Sequence, residues 1–131
     1  PSAMLSVPEA LRYIGALLPG GWPEVMRRNR ALALAGRRLL CAALDIEPPA
    51  PEDCLGALAS VPIPDARASQ TPSSPLYADP LQDKLWIEHA LEVPVIPWPA
   101  PPRRLLRLSA QLYNSLPQYD LLARALKAAL A

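Results

Sequence analysis

Few residues in this 131-residue sequence could do chemistry, and the most telling is an arginine set in an alternating run. In Arg103-Arg104-Leu105-Leu106-Arg107-Leu108-Ser109-Ala110, Leu106 and Leu108 alternate with Arg107 and Ser109, the period-two pattern of a half-buried strand. One face would pack on a core while the other displays a guanidinium on a stiff element. Such a side chain is a planar, two-pronged donor for a carboxylate or phosphate. The same pattern also suits an arginine that is only solvated or structurally paired, since most surface charges do no chemistry. The alternation lapses after Ser109, and Tyr113-Asn114-Ser115 with Pro117 leads into a helix. Arg107 is therefore expected near the end of its strand, where binding groups are displayed.

The other candidates carry less. His89, the sole histidine, has no Ser, Cys or Asp partner placed by motif. It reads as a structural or exposed residue near a helix end, where a cation suits the helix dipole. Cys41 falls in a helical stretch and Cys54 in a proline-rich connection, with no C-x-x-C and no histidine at metal-ligand spacing. Reduced, partly buried thiols are expected rather than a disulfide. Lys84 and Lys127, the only lysines, lie inside amphipathic surface helices with nothing around them to desolvate an amine. There is no Gly-rich phosphate loop.

These residues need elements to position them. Ser6-Val7-Pro8-Glu9 has the form of a capping box and predicts a helix with Leu11, Ile14, Leu17 and Leu18 at helical spacing, ended by Gly20-Gly21. Pro23 starts a long helix running to about Leu44 or Ile46, before Pro48-Pro49. Val25, Leu32, Leu39, Leu40 and Ala43 form its apolar stripe, with Arg27, Arg30, Arg37 and Arg38 opposite. Leu34 and Cys41 lie among those arginines, either as two stray exposed residues or as a seam covering a further domain. Pro48-Pro49-Ala50-Pro51 is a rigid connector. Residues 55–64 read as an edge strand because of Pro62 and Pro64, and residues 65–76 as a mobile loop with almost nothing to bury.

Asp79-Pro80-Leu81-Gln82 predicts a capped helix with Leu81, Leu85 and Trp86 on its apolar face, ending near His89. Leu91 to Trp98 reads as a strand. Pro97 to Pro102 suits a tight connection between strands, or else a polyproline ligand. Ser115-Leu116-Pro117-Gln118 caps a last helix on which Tyr119, Leu122, Leu126, Ala129 and Leu130 repeat. The predicted architecture is α+β: a small antiparallel or mixed sheet of about three strands with helices packed on one face, preceded by a long helix.

Composition narrows the class. The length suits one domain, and a core without Phe must be built from Leu, Val, Ile and Ala. Eighteen prolines predict stiff, extended connections. A formal charge of +1 gives no reason to expect a polyanion. With no excess of basic charge and few aromatics, a nucleic-acid binder using Arg103, Arg104 and Arg107 is disfavoured. No apolar run approaches a membrane span and no signal pattern opens the chain, so a cytoplasmic setting is the default expectation.

Leu106-Arg107-Leu108-Ser109-Ala110-Gln111-Leu112-Tyr113-Asn114 resembles the C-terminal signature of the class V aminotransferase superfamily. In particular it resembles the isopenicillin N epimerase-like branch, enzymes that depend on pyridoxal phosphate and have fold type I. The likeness extends to Trp22-Pro23, Asn29 to Leu34, Arg37 to Leu40 and Leu91 to Trp98. It implies that residues 1–21 are the terminal helix of a large cofactor domain and residues 22–131 the C-terminal small domain, joined by the long interdomain helix. It also implies that Arg107 receives the α-carboxylate of an amino-acid substrate, and that the full-length enzyme is a homodimer. Gln111, Tyr113 and Asn114 would shape the loop that holds Arg107.

The cofactor needs a lysine for covalent attachment, an acid for the pyridine nitrogen and donors for the phosphate. By the same resemblance these lie on the large domain, upstream of Pro1, so no catalytic or cofactor-binding residue is expected in this chain and it should be inert alone. The resemblance leaves the reaction open among epimerisation, transamination, sulfur removal and C–S lysis. The alternative reading is a stand-alone α+β protein-interaction module using Pro97 to Pro102.

Overall fold

The structure is a computed structural model, and it describes residues 2–67 and 79–130. The loop expected over residues 65–76 lies largely outside the described residues. A single turn, α1 (Ser2–Leu5), precedes α2 (Val7–Ala16), then comes the long α3 (Gly21–Leu44). After the proline-rich connector and a 3-10 turn at Glu52–Cys54 come β1 (Leu58–Ile63), α4 (Pro80–His89), β2 (Val95–Pro97), β3 (Arg104–Ser109) and α5 (Leu116–Leu130). The fold is α+β, as its sequence pattern predicts. The sheet is entirely antiparallel in the order β1-β3-β2, so β3 is central and Pro62 sits on an edge strand.

The period-two pattern of β3 holds. Arg104, Leu106 and Leu108 face the helices and are buried, while Leu105, Arg107 and Ser109 face the other way. Against the buried face pack Ala59, Val61 and Ile63 of β1, Leu40 and Cys41 of α3, Leu85 of α4, and Leu122 and Leu126 of α5. At roughly 1.5–3 kcal/mol for each such large side chain, this one layer outweighs any other stabilising group in the chain. α3 and α5 approach closely at Gly36, where an added Cβ would lie 2.9 Å from the Tyr119 ring.

The buried face of α3 is rotated from the expected stripe. Val25 and Leu40 are buried, but Leu32, Leu39 and Ala43 only half so, whereas Leu34, Arg37 and Cys41 are buried. Leu34 and Cys41 are thus neither stray exposed residues nor a seam awaiting another domain; this chain covers them itself. The cause is the connector, which folds back onto α3. Arg30 donates from Nε to the Leu55 carbonyl (3.0 Å) and from Nη2 to that of Glu52 (2.7 Å). Arg37 Nη1 donates to the Ala50 carbonyl (2.7 Å), and Arg38 Nη2 to the Glu52 carboxylate (2.7 Å). Proline-rich backbone leaves carbonyls without matching N–H partners, and the helix supplies guanidinium donors instead.

Several caps differ from expectation. Ser6 has helical backbone angles and makes no cap; its hydroxyl donates back to Ala3 (2.8 Å), and Glu9 pairs with Arg12. Asp79 does cap α4, accepting from the Leu81 N–H (2.9 Å). Gln82 does not reach back, and accepts instead from the Val95 N–H (2.9 Å), tying α4 to β2. At α5, Gln118 reaches back to accept the Ser115 N–H (2.9 Å). Trp86 is exposed, not part of the α4 core face. Regular pairing in β2 is limited to three residues, and residues 98–103 form the hairpin connection, with the Trp98 N–H donating to Arg103 (3.0 Å).

Candidate functional site

Two arginines three residues apart on β3 have opposite surroundings. Arg104 is 6% exposed and its guanidinium donates from Nη1 to Asp79 (2.8 Å) and from Nε to the Pro64 carbonyl (2.8 Å). Asp79, 2% exposed, is satisfied in turn by Arg104 and the Leu81 N–H. Arg104 is therefore consumed by structure. Arg107, on the opposite face, has no hydrogen-bond or ion-pair partner for its guanidinium among the described residues, and its Nε is buried without one. Its backbone is fixed: the Arg107 N–H donates to Pro94 (3.0 Å), and the residue pairs with Ser60 across β1.

Arg107 lines a cleft of about 630 Å³. The segment from His89 to Pro94, between α4 and β2, makes one wall; Tyr113, Asn114, Gln118 and Leu121 make the other, with Arg107 to Ser109 between them. The chain reaches this arrangement through local chemistry. Ala90 takes a left-handed conformation (φ 53°) that ends α4, with its N–H on Trp86 and that of Leu91 on Leu85, and so turns the chain along the cleft.

A polar network fixes the opposite wall. Asn29, buried on α3, donates to the Gln111 side-chain oxygen (2.8 Å), which also accepts the Leu112 N–H (2.8 Å). The Gln111 N–H donates to Asn114 (3.0 Å), and Asn114 donates to Gln118 (3.3 Å). The Tyr119 hydroxyl donates to the Ser109 carbonyl (2.6 Å), and burial raises its pKa. Gln111 and Asn114 therefore shape the loop beside Arg107, while Tyr113 is left 83% exposed on the rim. Asn29 lies in the stretch Asn29 to Leu34 noted above, but the sequence assigns it no role in the site. Its partner lies 82 residues away, beyond any local motif.

No protein-family model matches this chain, and no curated protein does. The functional case therefore rests on the site's chemistry. His89 is half-buried at the end of α4 and lines the cleft. Cys41 and Cys54 are free thiols, the first buried and the second exposed; burial raises the Cys41 pKa and makes it a poor nucleophile. Among the described residues no group of three or more His, Cys, Asp or Glu could hold a metal, and no helix is long and apolar enough to cross a membrane. Lys84 on α4 and Lys127 on α5 are exposed and line no part of the Arg107 cleft. Neither is desolvated, as a lysine activated for covalent chemistry would be. What the arrangement can do is hold an anion.

Proposed function

We propose that this chain is the carboxylate-receiving small domain of a larger pyridoxal-phosphate-dependent amino-acid enzyme, of the isopenicillin N epimerase-like kind within the class V aminotransferases. The observation that carries the reading is Arg107, a residue of the central strand that lines the cleft and whose guanidinium has no partner among the described residues. A buried or half-buried cation without a counter-charge is costly, and an incoming carboxylate offsets that cost. The loop network from Asn29 to Gln118 supports the reading by holding the cleft wall before ligand arrives, which spares the ordering cost on binding.

In the parent enzyme Arg107 binds the α-carboxylate and so orients the amino group towards a cofactor carried by the large domain. The cofactor would supply the electron sink; this chain supplies binding and orientation. The helices α1 and α2 favour a large neighbour, since α2 buries none of its residues and Met4, Leu5, Leu11 and Tyr13 stay exposed. The epimerase, aminotransferase, desulfurase and lyase outcomes all share this carboxylate contact. Purifying the parent polypeptide beside the 131-residue chain tests the assignment. The parent is expected to retain pyridoxal phosphate and turn yellow, and the chain alone to bind none; a parent that takes up no cofactor when supplied with excess refutes it.

A further inference from the structure

The Arg107 cleft carries information about what the bound carboxylate is attached to, an inference that rests on the receptor reading above and extends it to ligand class. Arg107 is the only arginine or lysine among the described residues that line the cleft. The cleft has a volume of about 630 Å³, within the roughly 300–1,000 Å³ of ordinary small-molecule sites, so a bare carboxylate would leave most of it unfilled. Leu91, Val93 and Pro94 line one side and Leu121 the other. Leu121 is 43% exposed, so its apolar surface is available to a ligand. The remaining ionisable side chains of the walls are His89, Glu92, Tyr113 and Tyr119, and the Tyr119 hydroxyl is committed to Ser109.

Glu92 decides the charge class. A phosphate or a dicarboxylate would bring a second negative charge into a cleft whose one strong cation is already engaged, and would meet a carboxylate on the wall. A single carboxylate with a hydrocarbon body meets neither problem. We infer that the Arg107 cleft selects monocarboxylates with an apolar body, seating the carboxylate on Arg107 and the hydrocarbon between Leu91, Val93 and Leu121, and that Glu92 disfavours ligands with a second negative charge.

Titrations of the 131-residue chain with acetate, butanoate, 4-methylpentanoate, glutarate and inorganic phosphate at fixed ionic strength test this. The readout is the Arg107 Nε–H resonance, identified by its loss in Arg107→Gln, together with the amides of residues 91–94. Affinity is expected to rise from acetate to 4-methylpentanoate by about two- to fourfold per added carbon, the gain for burying a methylene. Glutarate and phosphate are expected to bind at least about tenfold more weakly than 4-methylpentanoate. Glu92→Gln should raise the glutarate affinity several-fold more than it raises that of 4-methylpentanoate. Equal affinity for acetate and 4-methylpentanoate, or glutarate binding as tightly as 4-methylpentanoate, overturns the selectivity while leaving the receptor standing. If no carboxylate shifts Arg107 at all, the receptor reading fails and this inference fails with it.

Discussion

Arg104 and Arg107 share a strand, a residue type and nearly the same sequence surroundings, yet one is sealed under helices and the other opens onto a cleft. On the covered face the guanidinium meets a carboxylate and a carbonyl fixed in place, and every strong donor direction it uses is spoken for. On the open face the guanidinium has a rigid backbone and no partner among the described residues. The difference separates an arginine that holds the fold together from one whose guanidinium has no partner among the described residues, and it follows from the pleat. A one-residue slip of β3 would exchange their roles.

The contrast should break most visibly on the covered face. Arg104→Leu leaves Asp79 buried without its counter-charge and is expected to cost about 3–5 kcal/mol in urea unfolding, whereas Arg107→Leu removes an unpaired cation and should leave stability unchanged or raise it. Comparable losses in the two variants would erase the distinction. A smaller effect is expected at the seam between α3 and the loop. Asn29→Leu removes the donor to Gln111 and should cost about 1–2 kcal/mol, shifting the amides of residues 111–114 while those of β1 stay in place.

The smallest effect sets exposed charges against the buried pair. Hydrogen bonds from Arg27, then Arg28, hold the Glu24 carboxyl at about 2 instead of its ordinary 4.5. A carboxyl lowered in the folded state stabilises above its ordinary value, and that contribution fades as pH falls from about 4.5 towards 2. Glu24 is half-buried, but its partners Arg27 and Arg28 are exposed, so salt should screen the contribution. Glu24→Gln is expected to flatten the acid limb of the stability curve slightly at low salt and not at 1 M salt, a difference readable in thermal melts from pH 5 to pH 2.5.

The sequence shows β3 clearly because Leu106, Leu108 and Arg107 obey a strict alternation that nothing in the tertiary structure overrides. It shows α5 and the Asp79 cap for similar local reasons. It does not show the Arg104–Asp79 pair, whose members are 25 residues apart and meet only when α4 lies across the sheet. Nor does it show that Arg37, 1% exposed, is buried. An arginine on a helix reads as solvated until a proline-rich connector with spare carbonyls folds over it. Gln82 was legible as a capping residue by position, but its acceptor is better used by Val95, a long-range demand that local spacing cannot express. Within the site, Arg107, Gln111 and Asn114 were visible as a segment, and Asn29 was hidden by distance.

The decisive measurement is the kinetics of Arg107→Lys in the parent enzyme. A lysine keeps the charge and loses the two-pronged fit, so KM for the amino-acid substrate is expected to rise about ten- to a hundredfold, in line with the roughly 1.5–3 kcal/mol of a charge-assisted hydrogen bond. Cofactor affinity should stay within about twofold of the unsubstituted enzyme, because the proposed role of Arg107 is confined to the substrate carboxylate. An unchanged KM, or a loss of cofactor as large as the loss of substrate, would contradict the assignment.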